Sequence, residues 1–480
     1  MADTTRPINE TPARDAEIDR VFMLQKKAFA AEPYPSVGQR EARLNALIHA
    51  VETNEKRIID AVNSDFSSRS RHETLLAEII VSVSAAKAAK RHLKKWMRAR
   101  GVATPVHMKP ARSRIEPQPL GVIGIISPWN YPLQLALSPA AAALAAGNRV
   151  LIKPSELTPA TAEIMREIIR AEFEESVMAV VTGGVEVGQA FSSVPFDHLL
   201  FTGSTAIGQR VYMAAAKNLT PVTLELGGKS PAIIDESADI GKAALSIAQG
   251  KLFNAGQTCV APDYVLTPRA KLGATVDALA GSARTLYPEI DTSGDYTAII
   301  SQRHFARLKA LVDEARNVGA KIVEVGSSNA LDPQRKLPLT IVVDPPPDIA
   351  LMKEEIFGPV LPVLSVSGRE EAIEHINDGE RPLALYWFGE DSAARNEVLR
   401  RTHAGGVTVN DTLWHVAQEN LPFGGVGKSG IGAYHGEKGF EAFSHMKPVF
   451  YQSRFASNKM LYPPFSEKTD KLLKMARKII

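Results

Sequence analysis

The chain has 480 residues, 45% hydrophobic and 23% charged, an ordinary balance for a globular protein of two or three domains. A formal net charge of +3 is too small to attract nucleic acid or a membrane through field strength alone. One cysteine excludes an internal disulfide and a multi-cysteine zinc site; no metal is expected, and a reducing, cytoplasmic compartment is the simplest setting.

Met1 to Arg20 carries mixed charge, with Pro7 and Pro12 and no apolar stretch, so no secretory signal is expected there. From Ala16 to about Arg100, apolar residues recur at spacings of three and four, which predicts helices with a break at Pro33 and Pro35. The basic run Arg91–Arg100 around Trp96 reads as a solvated helix face with a half-buried indole rather than a nucleic-acid patch. Val102 to Pro117 reads as two short extended runs around a Lys109-Pro110 turn. Its charged, proline-containing strands suit a protected sheet edge or a pairing surface.

A different texture begins at Gly121. Apolar runs in GVIGIISPWN, NRVLIKPSE and HLLFTGS alternate with helical stretches at Leu135–Ala146, Ala160–Phe173 and Ala206–Ala216, which predicts a parallel, Rossmann-like sheet. The longest apolar stretch, Leu133 to Ala146, is interrupted by Gln134, Ser138 and Pro139 and is too short to span a bilayer. Near Pro221 the pattern restarts with PVTLELGGKSPAIID and runs to about Phe423, suggesting a second α/β domain. The tail from Ser453 ends in a basic amphipathic stretch. It reads as a helix packed on the body or on a partner subunit, with membrane-surface attachment the less favoured alternative.

The lone Cys259 follows Asn254, Ala255 and Gly256 in a small polar turn, where free amides would favour a thiolate; an inert buried thiol is the other reading of that turn alone. Several polar residues sit at strand ends, where open α/β sheets bind ligands. Trp129-Asn130 offers an amide donor to developing negative charge, or else a simple turn. Lys153 and Glu156 offer a cation and a carboxylate to ribose hydroxyls, or a surface ion pair. Gly203, Ser204 and Gly208 surround a strand-to-helix junction whose amides could face a diphosphate, although the segment is not GxGxxG. Glu225 lies in an otherwise apolar strand. Desolvation would raise its pKa toward that of a general base, unless the amides of Gly227 and Gly228 satisfy it. Glu355 precedes Phe357 and the rigid Gly358-Pro359, a pairing that could hold an acid against a sugar and an aromatic against a flat ring. Thiol, amide donor, desolvated carboxylate and dinucleotide-sized strand ends together describe aldehyde oxidation.

PWNYP, KPSE, FTGSTAIG, LELGGKSP, GQTC, EEIFGP and LPFGGVGKSG stand in the order and approximate spacing of the aldehyde dehydrogenase superfamily, which the chain resembles from about Leu44 to Tyr451. GQTCVAPDYVL, RPLALYWFG, GVTVND, AYHGEKGFEAFSH and YPPF are similar to its class 3 branch, and within that branch to bacterial coniferyl aldehyde dehydrogenases. The resemblance implies an α/β aldehyde dehydrogenase-like fold. It implies an NAD(P)-binding domain at 1–102 and 119–223, a catalytic domain at 224–422, a bridging element at 103–118 and 440–453, and a tail at 454–480. It implies Cys259 as nucleophile, the Asn130 side chain and the Cys259 amide as oxyanion hole, and Glu225 as the base for thioester hydrolysis. Lys153 and Glu156 would hold the adenosine ribose, while Gly203, Ser204 and Gly208 would border the diphosphate. Glu355 would hold the nicotinamide ribose, with Trp129 and Phe357 beside the cofactor. The implied cofactor is NAD, with NADP accepted by some relatives, and the implied assembly is a homodimer.

Mammalian class 3 enzymes carry tryptophan where Gln249 stands, so a wider or more polar pocket is expected, with Tyr131, Leu135, Trp414 and His415 as further wall candidates. Their aromatic character suits a phenylpropenal such as coniferyl aldehyde. The alternatives are a broad or long-chain fatty aldehyde dehydrogenase, a CoA-acylating enzyme, and a non-catalytic, crystallin-like scaffold.

Overall fold

A computed structural model of the chain describes residues 16–326 and 332–479, so the reading of the N-terminus lies outside it up to residue 15 and that of the tail at Ile480. The expected N-terminal helices form at Ala16–Ala31, Val37–Glu52 and Glu55–Phe66, with the break at Pro33 and Pro35 between the first two. Ser36 and Gln39 close the second helix with reciprocal capping bonds. A further helical stretch, Arg71–Trp96, contains one π-helical turn at Leu75–Ile80. Trp96 is buried rather than half-buried, because its ring packs against Phe440 (centroids 5.7 Å apart).

Two strands, β1 (Arg100–Val102) and β2 (Arg112–Pro119), precede a parallel set: β3 (Val122–Ile126), β4 (Arg149–Lys153), β5 (Met178–Val180), β6 (His198–Thr202) and β7 (Val222–Glu225). Seven more follow: β8 (Pro231–Ile234), β9 (Tyr264–Pro268), β10 (Lys321–Glu324), β11 (Thr340–Val343), β12 (Val360–Val366), β13 (Ala384–Phe388) and β14 (Gly406–Val409). The last two are β15 (Gly430–Ile431) and β16 (Ser444–Tyr451).

These form three sheets. The first has the order β15-β7-β6-β3-β4-β5 and is parallel except for β15. Every residue of β3, β4 and β6 is buried, as expected of strands covered by helices on both faces. The second has the order β10-β11-β12-β9-β8-β13-β14 and is parallel except at β10. The third, β1-β2-β16, joins the expected hairpin to a late strand, with Lys447 opposite Glu116 and Tyr451 opposite Arg112. The arrangement is α/β with mixed sheets.

Two boundaries differ from the sequence reading. The domain limit at 223 falls inside β7, which pairs with β6 and so completes the first sheet; the crossing to the second sheet comes after Glu225. The hairpin strands run Arg100–Val102 and Arg112–Pro119, slightly outside the expected limits. The three-residue β5 was not anticipated, being too short to show a period.

The helix Gln134–Ala146 is buried along its whole length, which explains an apolar run with no polar face. It ends at Gly147 (φ 96°), where a Cβ would lie 2.7 Å from the guanidinium carbon of Arg40. The buried Arg40 donates to the carbonyls of Ala145 and Ala146 (3.0 and 2.7 Å), satisfying the carbonyls orphaned at the helix end. The tail forms a helix at Glu467–Ile479, its Leu473 and Met475 exposed. Among the described residues no helix is long and apolar enough to cross a membrane.

Candidate active site

The carboxyl ends of β4, β3, β6 and β7 lie side by side in the first sheet, and each delivers residues singled out above. β3 leads to Trp129 and Asn130, β4 ends at Lys153, β6 precedes Gly203 and Ser204, and β7 ends at Glu225. This is the edge where open α/β sheets hold ligands.

Cys259 reaches the site from the second sheet's side, on a turn after the helix Ile240–Leu252. Asn254, Ala255 and Gly256 all have left-handed backbones (φ 52°, 51° and 74°). Gly256 is required there twice over, since a Cβ would also sit 2.5 Å from the Gly358 carbonyl oxygen. Side-chain amides hold this costly conformation. Asn254 Nδ2 donates to the carbonyls of Asn130 and Gln257, each at 3.1 Å. Gln257 Nε2 donates to Asn254 and Ala298 (3.0 and 3.1 Å), and its Oε1 accepts from the Ile300 amide (2.9 Å). Thr258 bonds the Tyr131 hydroxyl at 2.7 Å.

The Cys259 thiol is pushed up to about 12, first by burial and then by the charges of Glu355 and Glu225, while its own amide and that of Val260 pull the other way. The local amides favour the thiolate, while burial and the two carboxylates oppose them.

Asn130 is buried, and its Nδ2 donates to the Gln257 carbonyl at 3.1 Å. A carboxamide carries two N–H bonds, so one is committed to the turn and one is left for another acceptor.

Glu225 is 2% exposed, and neither carboxylate oxygen has a hydrogen-bond partner among the described residues. Burial alone raises its pKa well above the ordinary carboxylate value. The amides of Gly227 and Gly228 do not satisfy it. The Gly228 amide serves Glu355 instead, whose carboxyl is pushed up to about 8 by burial and Asp263 against the pull of Gly228, Lys229 and Arg307. Gly227 makes room for that side chain, since a Cβ there would lie 1.9 Å from Glu355 Oε2. Glu355 Oε1 is buried without a hydrogen-bond partner among the described residues.

Phe357 (φ 51°) meets Trp129 edge-on at 5.3 Å. Lys153 is buried and bonds Glu156, which is half exposed, at 3.1 Å. The pair is a cation held at a strand end rather than a surface ion pair. At the helix Thr205–Ala216, preceded by Ser204, the two glycines serve packing: a Cβ on Gly203 would meet the Phe201 ring at 2.6 Å, and one on Gly208 would meet Leu226 at 2.6 Å. Their amides are also committed, Gly203 to the Glu225 carbonyl (3.0 Å) and Gly208 to that of Ser204 (2.9 Å). The amides of Ser204, Thr205 and Ala206 begin the helix at that junction. A buried, unpartnered Glu355 oxygen, a Lys–Glu pair and a helix start on one sheet edge fit a dinucleotide.

The wall candidates divide. Tyr131 and Leu135 are buried, and the Tyr131 ring stacks on Phe253 at 6.5 Å, an aromatic the sequence reading passed over. Gln249 and Trp414 are exposed, on neighbouring segments joined where Thr412 Oγ1 donates to the Ser246 carbonyl (3.0 Å). His415 is tied to Thr408 Oγ1 (2.8 Å), fixed against β14, and burial pushes it down to about 4. Two further groups went unassigned. The buried Tyr434 phenol feels the charges of Glu225, Cys259 and Glu419, and burial raises Glu419 to about 7. Tyr434 lies within AYHGEKGFEAFSH, a segment whose likeness to the class 3 branch was the only signal available.

A profile of the aldehyde dehydrogenase family matches residues 3–449. The chain belongs to that family and is an oxidoreductase acting on aldehydes. It is 48% identical to the "Probable coniferyl aldehyde dehydrogenase" of Pseudomonas aeruginosa over 457 residues, covering 95% of each chain. Among solved structures it is similar to substrate-bound AldH of Staphylococcus aureus (TM-score 0.91, 38% identity, 95% of this chain and 99% of that one). It is also similar to a variant of the P. syringae indole-3-acetaldehyde dehydrogenase AldA in complex with NAD+ and IAA (TM-score 0.83, 26% identity, 91% and 89%).

Proposed function

We propose that the chain oxidises a phenylpropenal of the coniferyl aldehyde type to its carboxylate, with NAD as cofactor and Cys259 as nucleophile. The observation that carries the chemistry is the buried Glu225, whose two unpartnered oxygens act electrostatically on the thiol of a turn tied to Asn130. The phenylpropenal is supported by the Pseudomonas aeruginosa relative's name and by the Tyr131–Phe253 aromatic pair.

Cys259 gives up its proton to solvent, and the thiolate adds to the carbonyl carbon. The oxygen that gains charge is met by the free N–H of Asn130 and the Cys259 amide. A nicotinamide dinucleotide, when bound, supplies the acceptor for the hydride lost as the thiohemiacetal becomes a thioester. Lys153, Glu156 and Glu355 would hold it, with Trp129 and Phe357 alongside; the half-exposed Glu156 carboxylate favours a free ribose hydroxyl over a phosphate. Glu225 then takes a proton from water, hydroxide adds to the thioester, and the acid leaves as the thiol reforms. The same reading includes a homodimer built on the edges of the β1-β2-β16 sheet, and a reducing, cytoplasmic setting that keeps Cys259 a thiol.

The test is kcat/KM for coniferyl, cinnamyl, benzyl and long-chain saturated aldehydes with NAD, with and without CoA. The expected order places coniferyl aldehyde first, with no need for CoA. A clear preference for long saturated chains, or a requirement for CoA, refutes the substrate assignment.

A further inference from the structure

Outside the groups assigned to substrate or cofactor lies a second buried ionic cluster, built from the N-terminal segment 69–78. Arg69, 2% exposed, donates from Nη1 to the Asn130 carbonyl at 2.9 Å and lies 3.3 Å from Glu78 Oε1. Its guanidinium is sandwiched by the faces of Phe66 and Tyr131 (4.8 and 4.9 Å). Glu78 Oε2 accepts from the amides of Leu133 and Gln134 (3.0 and 2.8 Å), fastening the segment that follows Asn130. Glu73 accepts from the Asn254 amide (3.2 Å at the nearer oxygen) and from Thr297 Oγ1 (2.8 Å), fastening the turn that carries Cys259. Arg69 draws down the pKa of both carboxylates, which burial otherwise raises.

The π-helical turn Leu75–Ile80 holds Glu78 and follows directly on the α-helical turn that holds Glu73. Residues five apart on an α-helix point about 140° away from each other, whereas a π turn, which closes at five residues, brings them toward one face. A charged triad sealed from water is expensive to bury, so its purpose is better sought in what it positions than in stability.

We propose that Arg69, with Glu73 and Glu78, is a positioning device that sets the Asn130 amide and the Cys259 turn in register with each other. It touches neither substrate nor cofactor. The inference rests on the assignment of Asn130 and Cys259 above. Arg69 anchors the Asn130 carbonyl, Glu78 the residues after it, and Glu73 the start of the cysteine turn, so one cluster spans both halves of the oxyanion site. Packing alone would hold the segments together; the ion cluster adds direction, because Arg69, Glu78 and Glu73 each bond a backbone atom of one half or the other.

The test is a double-mutant cycle of Arg69→Lys with Asn130→Ala, reading kcat, KM for NAD and the rate of Cys259 alkylation, the last unambiguous in a chain with one cysteine. Asn130→Ala alone should lower kcat on the order of 10²-fold or more, as loss of one oxyanion donor does. Arg69→Lys should lower kcat about 10-fold or more with KM for NAD and alkylation near wild type, and should cost little further activity in the Asn130→Ala background. Should Arg69→Lys not fold, Glu78→Gln keeps an acceptor for the two amides and is read in the same cycle. Losses that multiply, or unchanged kcat in the folded Arg69 or Glu78 variant, overturn the positioning role alone. Full activity of Asn130→Ala overturns the oxyanion assignment and the positioning role with it.

Discussion

Two acidic centres at the site are treated in opposite ways. Glu73 and Glu78 face donors: backbone amides, a hydroxyl and, for Glu78 Oε1, which has no hydrogen bond, the Arg69 guanidinium at 3.3 Å. Glu225, buried just as deeply, has no partner for either oxygen among the described residues. Satisfied carboxylates fix backbone; an unsatisfied one keeps its affinity for a proton high and its oxygens available. The contrast separates the part of the site that must not move from the part that must change its protonation.

The largest effect expected along that line is from Cys259→Ala, which should remove aldehyde oxidation by a factor on the order of 10⁶ or to the detection limit. Residual turnover at wild-type rate would end the nucleophile assignment. Glu225→Gln should lower steady turnover roughly 10²- to 10⁴-fold while keeping a first-turnover burst of NADH in stopped-flow. Equal loss of burst and turnover would move its role to thiol activation. Lys153→Ala should raise KM for NAD roughly 10-fold or more, with kcat less affected, as loss of a charged hydrogen bond does. Gly256→Ala tests the fixed half, and should destabilise the fold by roughly 2–5 kcal/mol through a left-handed alanine pressed on Gly358. Unchanged melting would deny the turn its strain.

The smallest effect is one of pH. Burial raises the folded-state pKa of Glu225 above its ordinary value of 4.5, so the stability linked to its neutral form is complete below 4.5 and is lost as pH rises through the folded value. Glu225→Gln should therefore melt higher relative to wild type at pH 8 than at pH 5. A difference that shrinks with rising pH would mean that Glu225 is ionised and stabilised in the fold.

Much of the reacting half was legible in sequence because its signals are local. A cysteine among small residues, a glutamate inside an apolar strand and strand ends rich in polar residues each stand out within ten positions. The fixed half was not. Arg69, Glu73 and Glu78 sit in RSRHETLLAEII, where charges at helical spacing look like a solvated face. Only pairing with Asn130 and Asn254, far along the chain, buries them. Glu225 shows the same limit, since the neighbouring Gly228 amide turns toward Glu355, from a loop that sequence distance could not place. The sheet to which β7 belongs was hidden for a similar reason: its apolar residues fit either sheet, and hydrogen bonding to β6 decides.

The pairing of β15 with β7 joins Gly430 to Glu225. The second sheet is thereby an insertion within the first, entered after Glu225 and left just before Gly430. Its two tethers lie side by side, like both leaves of a hinge mounted on one post. Glu225 thus sits at the tethers themselves, where the chain leaves one sheet for the other.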